Sequence, residues 1–211
     1  SPQRPPVVAG PEAVGSGTVR DDAARAIVAE ALREDELPLF FSCGGPLTNL
    51  AAALRMHPSI AQRMTVIWIG GGRYPEGGWE YNLATDQAAA RHVIEESRVP
   101  LWQVPQAAYR QMQYSIAELE ADLRPISPFA RWIYDRFTAP PDFVQLGQTW
   151  PLGDSPLVMA TAISNESSRF TDQPARRIKP DLTYGTEIAD RKVRVYEQLD
   201  SRLTFADFLA L

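Results

Sequence analysis

Three short apolar runs limit most strongly what this chain can fold into: LPLFFSC (37–43), MTVIWIG (64–70) and PLWQVP (100–105). Each is short for a buried helix, carries β-branched or aromatic residues and is bounded by Gly or Pro. Runs that are apolar at nearly every position predict strands buried on both faces, the habit of parallel sheets. Helical patterns fill the spaces between them. DDAARAIVAEALRED predicts a helix with Asp21 or Asp22 at its start and Ile27, Val28, Ala31 and Leu32 on one face. PLTNLAAALRM predicts a second, with Pro46 near the first turn, where a missing N–H costs nothing. DQAAARHVIEES predicts a third, capped by Asp86. Strands alternating with helices imply βαβ units and an α/β fold with a doubly wound, mostly parallel sheet. In such sheets ligands sit beyond the carboxyl ends of the strands.

The rest of the chain is less regular. PPVVAG is a short β-branched run ending in Gly10, and residues 11–20 read as loop. SIAELEADLR and SPFARWIYDRF are helical, and the aromatics Phe129, Trp132, Tyr134 and Phe137 are expected to pack the second of these onto the body. TAPPDFVQLGQTWPLGDSP is a Pro- and Gly-rich connector. DSPLVMATAIS returns to helix, residues 165–180 read as a polar surface loop, RKVRVYEQLD alternates like a strand, and TFADFLAL is a short C-terminal helix. Without repeats, low-complexity tracts or a clear linker, residues 1–211 are expected to form a single domain.

Composition narrows the function. A net charge of -5 disfavours a nucleic-acid backbone or an anionic membrane as partner. Cys43 is the single cysteine and cannot form an internal disulfide. With no apolar run near the ~18 residues of a spanning helix and no signal-peptide pattern at the start, the expected location is cytoplasmic.

The chemistry gathers at two glycine-rich corners. CGGPLTNLAAAL (43–54) joins a strand to a helix, with Thr48 and Asn49 at the seam. IGGGRYPEGGWEYN (69–82) ends another strand in Gly70, Gly71 and Gly72, which suit a tight turn with positive φ. The G-x-G-x-x-G spacing of a dinucleotide site and the Gly-Lys-Ser/Thr of a P-loop are both missing. Glu80 and Asn82 lie two apart, which in extended backbone puts both side chains on one side. A carboxylate that accepts and an amide that donates and accepts suit a polyhydroxylated ligand such as ribose. Trp79 or Tyr74 could stack on a base or simply pack. Asp154, after Gly153, could be a plain N-cap.

Together, GGPLTNLAAALRMHPSIAQRMTVIWIGGG, WEYN and TDQAAARHVIEES resemble the inosine–uridine-preferring nucleoside hydrolases. That family follows a GPLTNLA-type segment with an apolar strand, a glycine turn, an E-F-N motif and a D-P-E-A-A helix, and the tail RKVRVYEQLDSRLTFADFLAL is similar to its last strand and helix. The resemblance implies a Rossmann-like fold and Ca²⁺-dependent hydrolysis of the N-glycosidic bond of ribonucleosides. It implies that Glu80 and Asn82 bind ribose, that Asp154 ligates calcium, and that Gly44 offers its backbone carbonyl to the same ion. The implied partner is a nucleoside or ribose.

Three features depart from the family pattern. The D-x-D-x-x-x-D-D cluster, which supplies the general base and most calcium ligands, has no counterpart in these residues, and Asp21 and Asp22 have the wrong spacing. The general base is therefore expected in a missing N-terminal segment that also carries the first strand. Gly153 stands where the family has the leaving-group His of its H-D pair, and His57 and His92 fall in structural helices. RYPEGGW interrupts the approach to the E-F-N motif. The expected protein is the C-terminal two-thirds of an N-ribohydrolase, because the losses form one block. A sugar-binding pseudoenzyme, or a subunit completed by another chain, are the alternatives. A homo-oligomer or an N-terminal partner segment would cover the open sheet edge.

Overall fold

The computed structural model describes residues 5–11, 21–140, 144 and 147–210. In chain order its elements are α1 (Asp22–Leu32), β1 (Leu39–Cys43), α2 (Thr48–Met56), β2 (Met64–Ile69), α3 (Tyr81–Thr85), α4 (Gln87–Arg91), β3 (Leu101–Val104) and α5 (Gln106–Tyr109). There follow β4 (Gln113–Ser115), α6 (Ile116–Glu118), α7 (Pro128–Phe137), β5 (Thr149–Pro151), α8 (Pro156–Val158), β6 (Arg169–Ile178), β7 (Tyr184–Gln198) and α9 (Ser201–Ala210). They group into two compact units, Ser1–Gln106 with Phe170–Tyr196, and Ala107–Arg169 with Glu197–Leu211.

The first unit holds a five-stranded sheet in the order β1-β2-β3-β7-β6, with β1, β2, β3 and β7 parallel. The predicted α/β architecture with a mostly parallel sheet is present. Register sets its two faces. Phe41, Val66 and Leu101 align across three strands, as do Cys43, Trp68 and Gln103. This face joins Ala24, Leu50, Ala51, Leu54, Ala89, Ala90 and Val93 of the covering helices in one continuous core. Small residues on α2 and α4 let the helices approach closely, and removal of this apolar area from water, at ~25 cal/mol per Å², drives the packing. On the opposite face Phe40, Trp102, Tyr196 and Phe170 form a run of tilted ring contacts, with the Arg194 guanidinium over both Trp102 and Phe170.

Several sequence expectations change here. β2 is buried almost throughout, as its pattern predicts, but β1 is only half buried. Among the described residues it is the outermost strand, with a neighbour on one side only. Leu32, placed on the buried face of α1, is exposed because that helix turns its Ala24 and Ala31 inward. The polar segment 165–180 is not a loop: most of it is β6, which a short turn joins to β7, and polar residues are tolerated on an edge strand whose outer side meets water. Val7 and Val8 form no strand and are exposed. The third helix starts under the Asp86 cap as expected, then continues past Arg91 as a π-helical turn, His92–Glu96. The reading of 11–20 as loop lies almost entirely outside the described residues.

The second unit is built of short pieces. Antiparallel β4 and β5 pair through Tyr114 and Trp150. Around Tyr114, Leu119, Leu123, Ala130 and Leu152 gather Ile133, Tyr134, Phe137 and Phe205. Tyr134 and Phe137 thus pack α7 inward, as expected. Phe129 and Trp132 do not: they stack on each other at 5.9 Å on the outer side of the helix, 67% and 53% exposed.

Candidate functional site

The site is built at the carboxyl ends of β1 and β2. After β2 the chain turns through Gly70 and Gly71, and Gly71 takes φ +84. That left-handed conformation suits only glycine readily, and the turn predicted at the triple glycine forms here. The corner is closed from below. Gln103 Nε2 donates to the Gly70 carbonyl at 2.9 Å and to the Tyr184 hydroxyl at 2.9 Å. Gly71 N–H donates to Glu80 Oε2 at 2.9 Å, and Leu83 N–H donates to the same oxygen at 3.0 Å.

Glu80 is therefore the N-cap of α3, 1% exposed, its charge held by two backbone donors. Hydrogen bonds to a buried charge are each worth about 1.5–3 kcal/mol. The extended i, i+2 geometry expected for Glu80 and Asn82 is replaced by a different one. Glu80 alone is extended, and Asn82 already lies in the first turn of α3. Asn82 nevertheless faces the strand ends: its Nδ2 donates to Ile69 O at 2.8 Å and lies 3.5 Å from Gly44 O. One amide thus links the end of β2 with the residue that follows β1. A second tie runs beneath it, where Thr48 Oγ1 donates to Asp86 Oδ2 at 2.7 Å while Asp86 Oδ1 caps Ala89 N–H. The seam residue Asn49 lies against Gly10, where an added Cβ would come within 2.9 Å of its amide.

Trp79 and Tyr81 flank Glu80 and are 64% and 60% exposed. Trp79 is therefore open to solvent rather than packed, whereas Tyr74, the other ring considered for stacking, packs on Tyr184 at 5.5 Å. The interrupting loop 73–78 is pinned to the β6–β7 turn: Gly78 N–H donates to Leu182 O and Tyr184 N–H to Glu76 O. The Tyr74 hydroxyl donates to Pro174 O. Burial pushes Tyr184 far above the ordinary tyrosine range, with the Glu80 carboxylate adding to the same direction, and pushes Tyr74 up to about 12.

In the second unit Asp154 is exposed and precedes α8 by two residues, and the N-cap is Ser155, not Asp154. Gly153 follows Leu152, whose N–H bonds to Met112 O. The histidines have local partners: His57 Nδ1 is 2.9 Å from Ser59 Oγ, and His92 Nδ1 is 2.7 Å from Glu96. Reasoning from sequence missed Gln103 and Tyr184. A lone glutamine inside the apolar run LWQV was the available signal, since a buried amide needs partners. Tyr184, distant in sequence, gave none.

A sequence profile of the inosine-uridine preferring nucleoside hydrolases matches residues 4–206. The chain belongs to that family. Among its relatives, the pyrimidine-specific ribonucleoside hydrolase RihA of Escherichia coli O1:K1 is 34% identical over 79 residues, covering 36% of this chain and 25% of that protein. RihA of Salmonella arizonae is 30% identical over 118 residues, 53% of this chain and 38% of that protein. Solved family structures share the fold. The Bacillus anthracis inosine-uridine preferring enzyme superposes with TM-score 0.67 at 18% identity, covering 89% of this chain and 64% of that one. An inosine-guanosine nucleoside hydrolase gives TM-score 0.69 at 16% identity, covering 88% and 66%. The chain thus spans under two-fifths of the curated relatives it matches and about two-thirds of the solved ones.

Proposed function

We propose that this chain carries the pentose side of an N-ribohydrolase that splits ribonucleosides into ribose and free base. The observation that supports it most is the linked placement of Glu80, Asn82 and Gly44 at the strand ends, the edge where open α/β sheets bind ligands. Departure of the base leaves an oxocarbenium-like sugar, and a carboxylate fixed by backbone donors stabilises that charge without reorganising. Asn82 supplies an amide suited to a sugar hydroxyl. Trp79, exposed beside Glu80, offers a ring face to the base.

Calcium takes six to eight oxygen ligands. Among the described residues no group of three or more His, Cys, Asp or Glu could hold a metal ion. Gly44 O can contribute one ligand, and the described residues by themselves do not make a calcium cage. The general base is likewise expected in an Asp-rich N-terminal segment. The test is hydrolysis of inosine and uridine by this chain with and without such a segment. Little activity alone and restored activity with the segment support the proposal. An ordinary enzymatic rate from this chain alone contradicts the assignment of the base, and no activity in either form contradicts the function. In the extended form, Asp154→Ala should abolish calcium dependence. Unchanged calcium affinity would remove Asp154 from the metal site.

A further inference from the structure

The glycine corner has an inner side as well as a ligand side. Gly71 lies so close to Gln103 and Tyr184 that a Cβ there would come 2.2 Å from Gln103 Nε2 and 2.3 Å from the Tyr184 hydroxyl. Both polar side chains are buried, Gln103 to 2% exposure and Tyr184 to 9%, and they bond to each other. Gln103 also donates to the Gly70 carbonyl, immediately before the Gly71 N–H that holds Glu80. Gly71 O accepts from Gln106 N–H, which fixes the following peptide plane, Gly71–Gly72. An amide and a phenol in an apolar core cost free energy unless they are hydrogen-bonded, and a satisfied pair of this kind rigidifies what it bonds. A leucine at 103 would fill the same space more simply.

We infer that Gln103 and Tyr184 are positioning residues for the pentose site, setting the Gly70–Gly71 corner so that its N–H aims the Glu80 carboxylate. The inference rests on the pentose reading above and deepens it. Gln103 comes from the middle of the sheet and Tyr184 from the first residue of β7, so the link carries information from the last strand to the site. Glu80 in turn starts α3, which carries Asn82, so a shift at the corner moves both proposed ribose contacts together.

Tyr184→Phe and Gln103→Met remove the polar atoms at nearly constant volume. Tyr74→Phe is the control, because its ring packs on Tyr184 while its hydroxyl bonds to Pro174 O, away from the corner. Two measurements are read on the whole chain: amide hydrogen exchange at Gly71 and Leu83, with the β2 amides as internal reference, and D-ribose affinity by calorimetry. The two positioning variants should speed exchange at Gly71 and Leu83 about tenfold relative to β2, and weaken ribose about tenfold. Tyr74→Phe should do neither. Exchange that is unchanged, or that rises uniformly across β2, overturns the inference, as does faster local exchange with unchanged ribose affinity. If the wild-type chain binds no ribose, the pentose reading itself fails, and the exchange arm alone then decides whether Gln103 and Tyr184 set the corner.

Discussion

The glycine corner of the first unit and the Asp154 segment of the second were both matched to a sugar-and-metal site by motif, and their construction differs sharply. At the corner, each proposed group has a cause for its position. Glu80 is buried under two N–H donors, Asn82 links two strand ends, and Gly71 has a backbone conformation and close neighbours that only glycine satisfies. Asp154 is exposed, ahead of a short helix whose N-cap, Ser155, makes no side-chain capping bond. The contrast teaches that a motif residue at a sheet edge inherits precision from the sheet, while one on a short helix depends on what lies around it.

The largest effect that can break this comparison is Gly71→Val. With φ +84 and a Cβ 2.2 Å from Gln103, it should cost about 3 kcal/mol or more, read from the urea midpoint. Gly153→Ala, in the second unit, meets Tyr109 at 3.1 Å, where a ring edge can give, and should stay within about 1 kcal/mol. Equal losses would erase the distinction. Next, Glu80→Ala strips two buried N–H groups of their acceptor and should cost about 2–3 kcal/mol. Asp154→Ala should cost under about 0.5 kcal/mol in the same unfolding assay.

Alkaline pH sharpens the comparison further. Burial raises Tyr74 and Tyr196 to about 12 and Tyr184 further in the first unit, and Tyr114 to about 12 in the second. The unfolded value is about 10. A folded pKa above the unfolded one means stability is full below about pH 10 and is lost as pH rises toward the folded value. The first unit should therefore loosen first, with its tyrosinate absorbance appearing together with loss of near-UV signal. Free titration of all tyrosines near pH 10 in a folded chain would contradict the burial. Trp132→Ala adds another small effect. The exposed stack with Phe129 should contribute about 0.5–1.5 kcal/mol, measurable as a small shift of midpoint.

Much of the first unit was legible because its physics is local. Apolar runs gave β2 and β3, Asp86 announced its cap, and triple glycine announced a turn with positive φ. β1 read as fully buried because sequence does not say which strand lies at the edge. β6 read as loop because an edge strand tolerates polar residues such as Asp172 and Arg176. The sequence singles out Glu80 and Asn82 but misjudges their geometry, since the helix start between them reverses the simple i, i+2 argument. Tyr184 was invisible because its partner, Gln103, lies 81 positions away and only the fold joins them.

Calorimetry of D-ribose on this chain, with Glu80→Gln and Asn82→Ala beside it, bears most directly on whether this strand-end cluster grips a pentose. Saturable binding by the wild type, weakened about tenfold or more in each variant, is the predicted result. Binding that ignores both substitutions, or no binding at all, would contradict it.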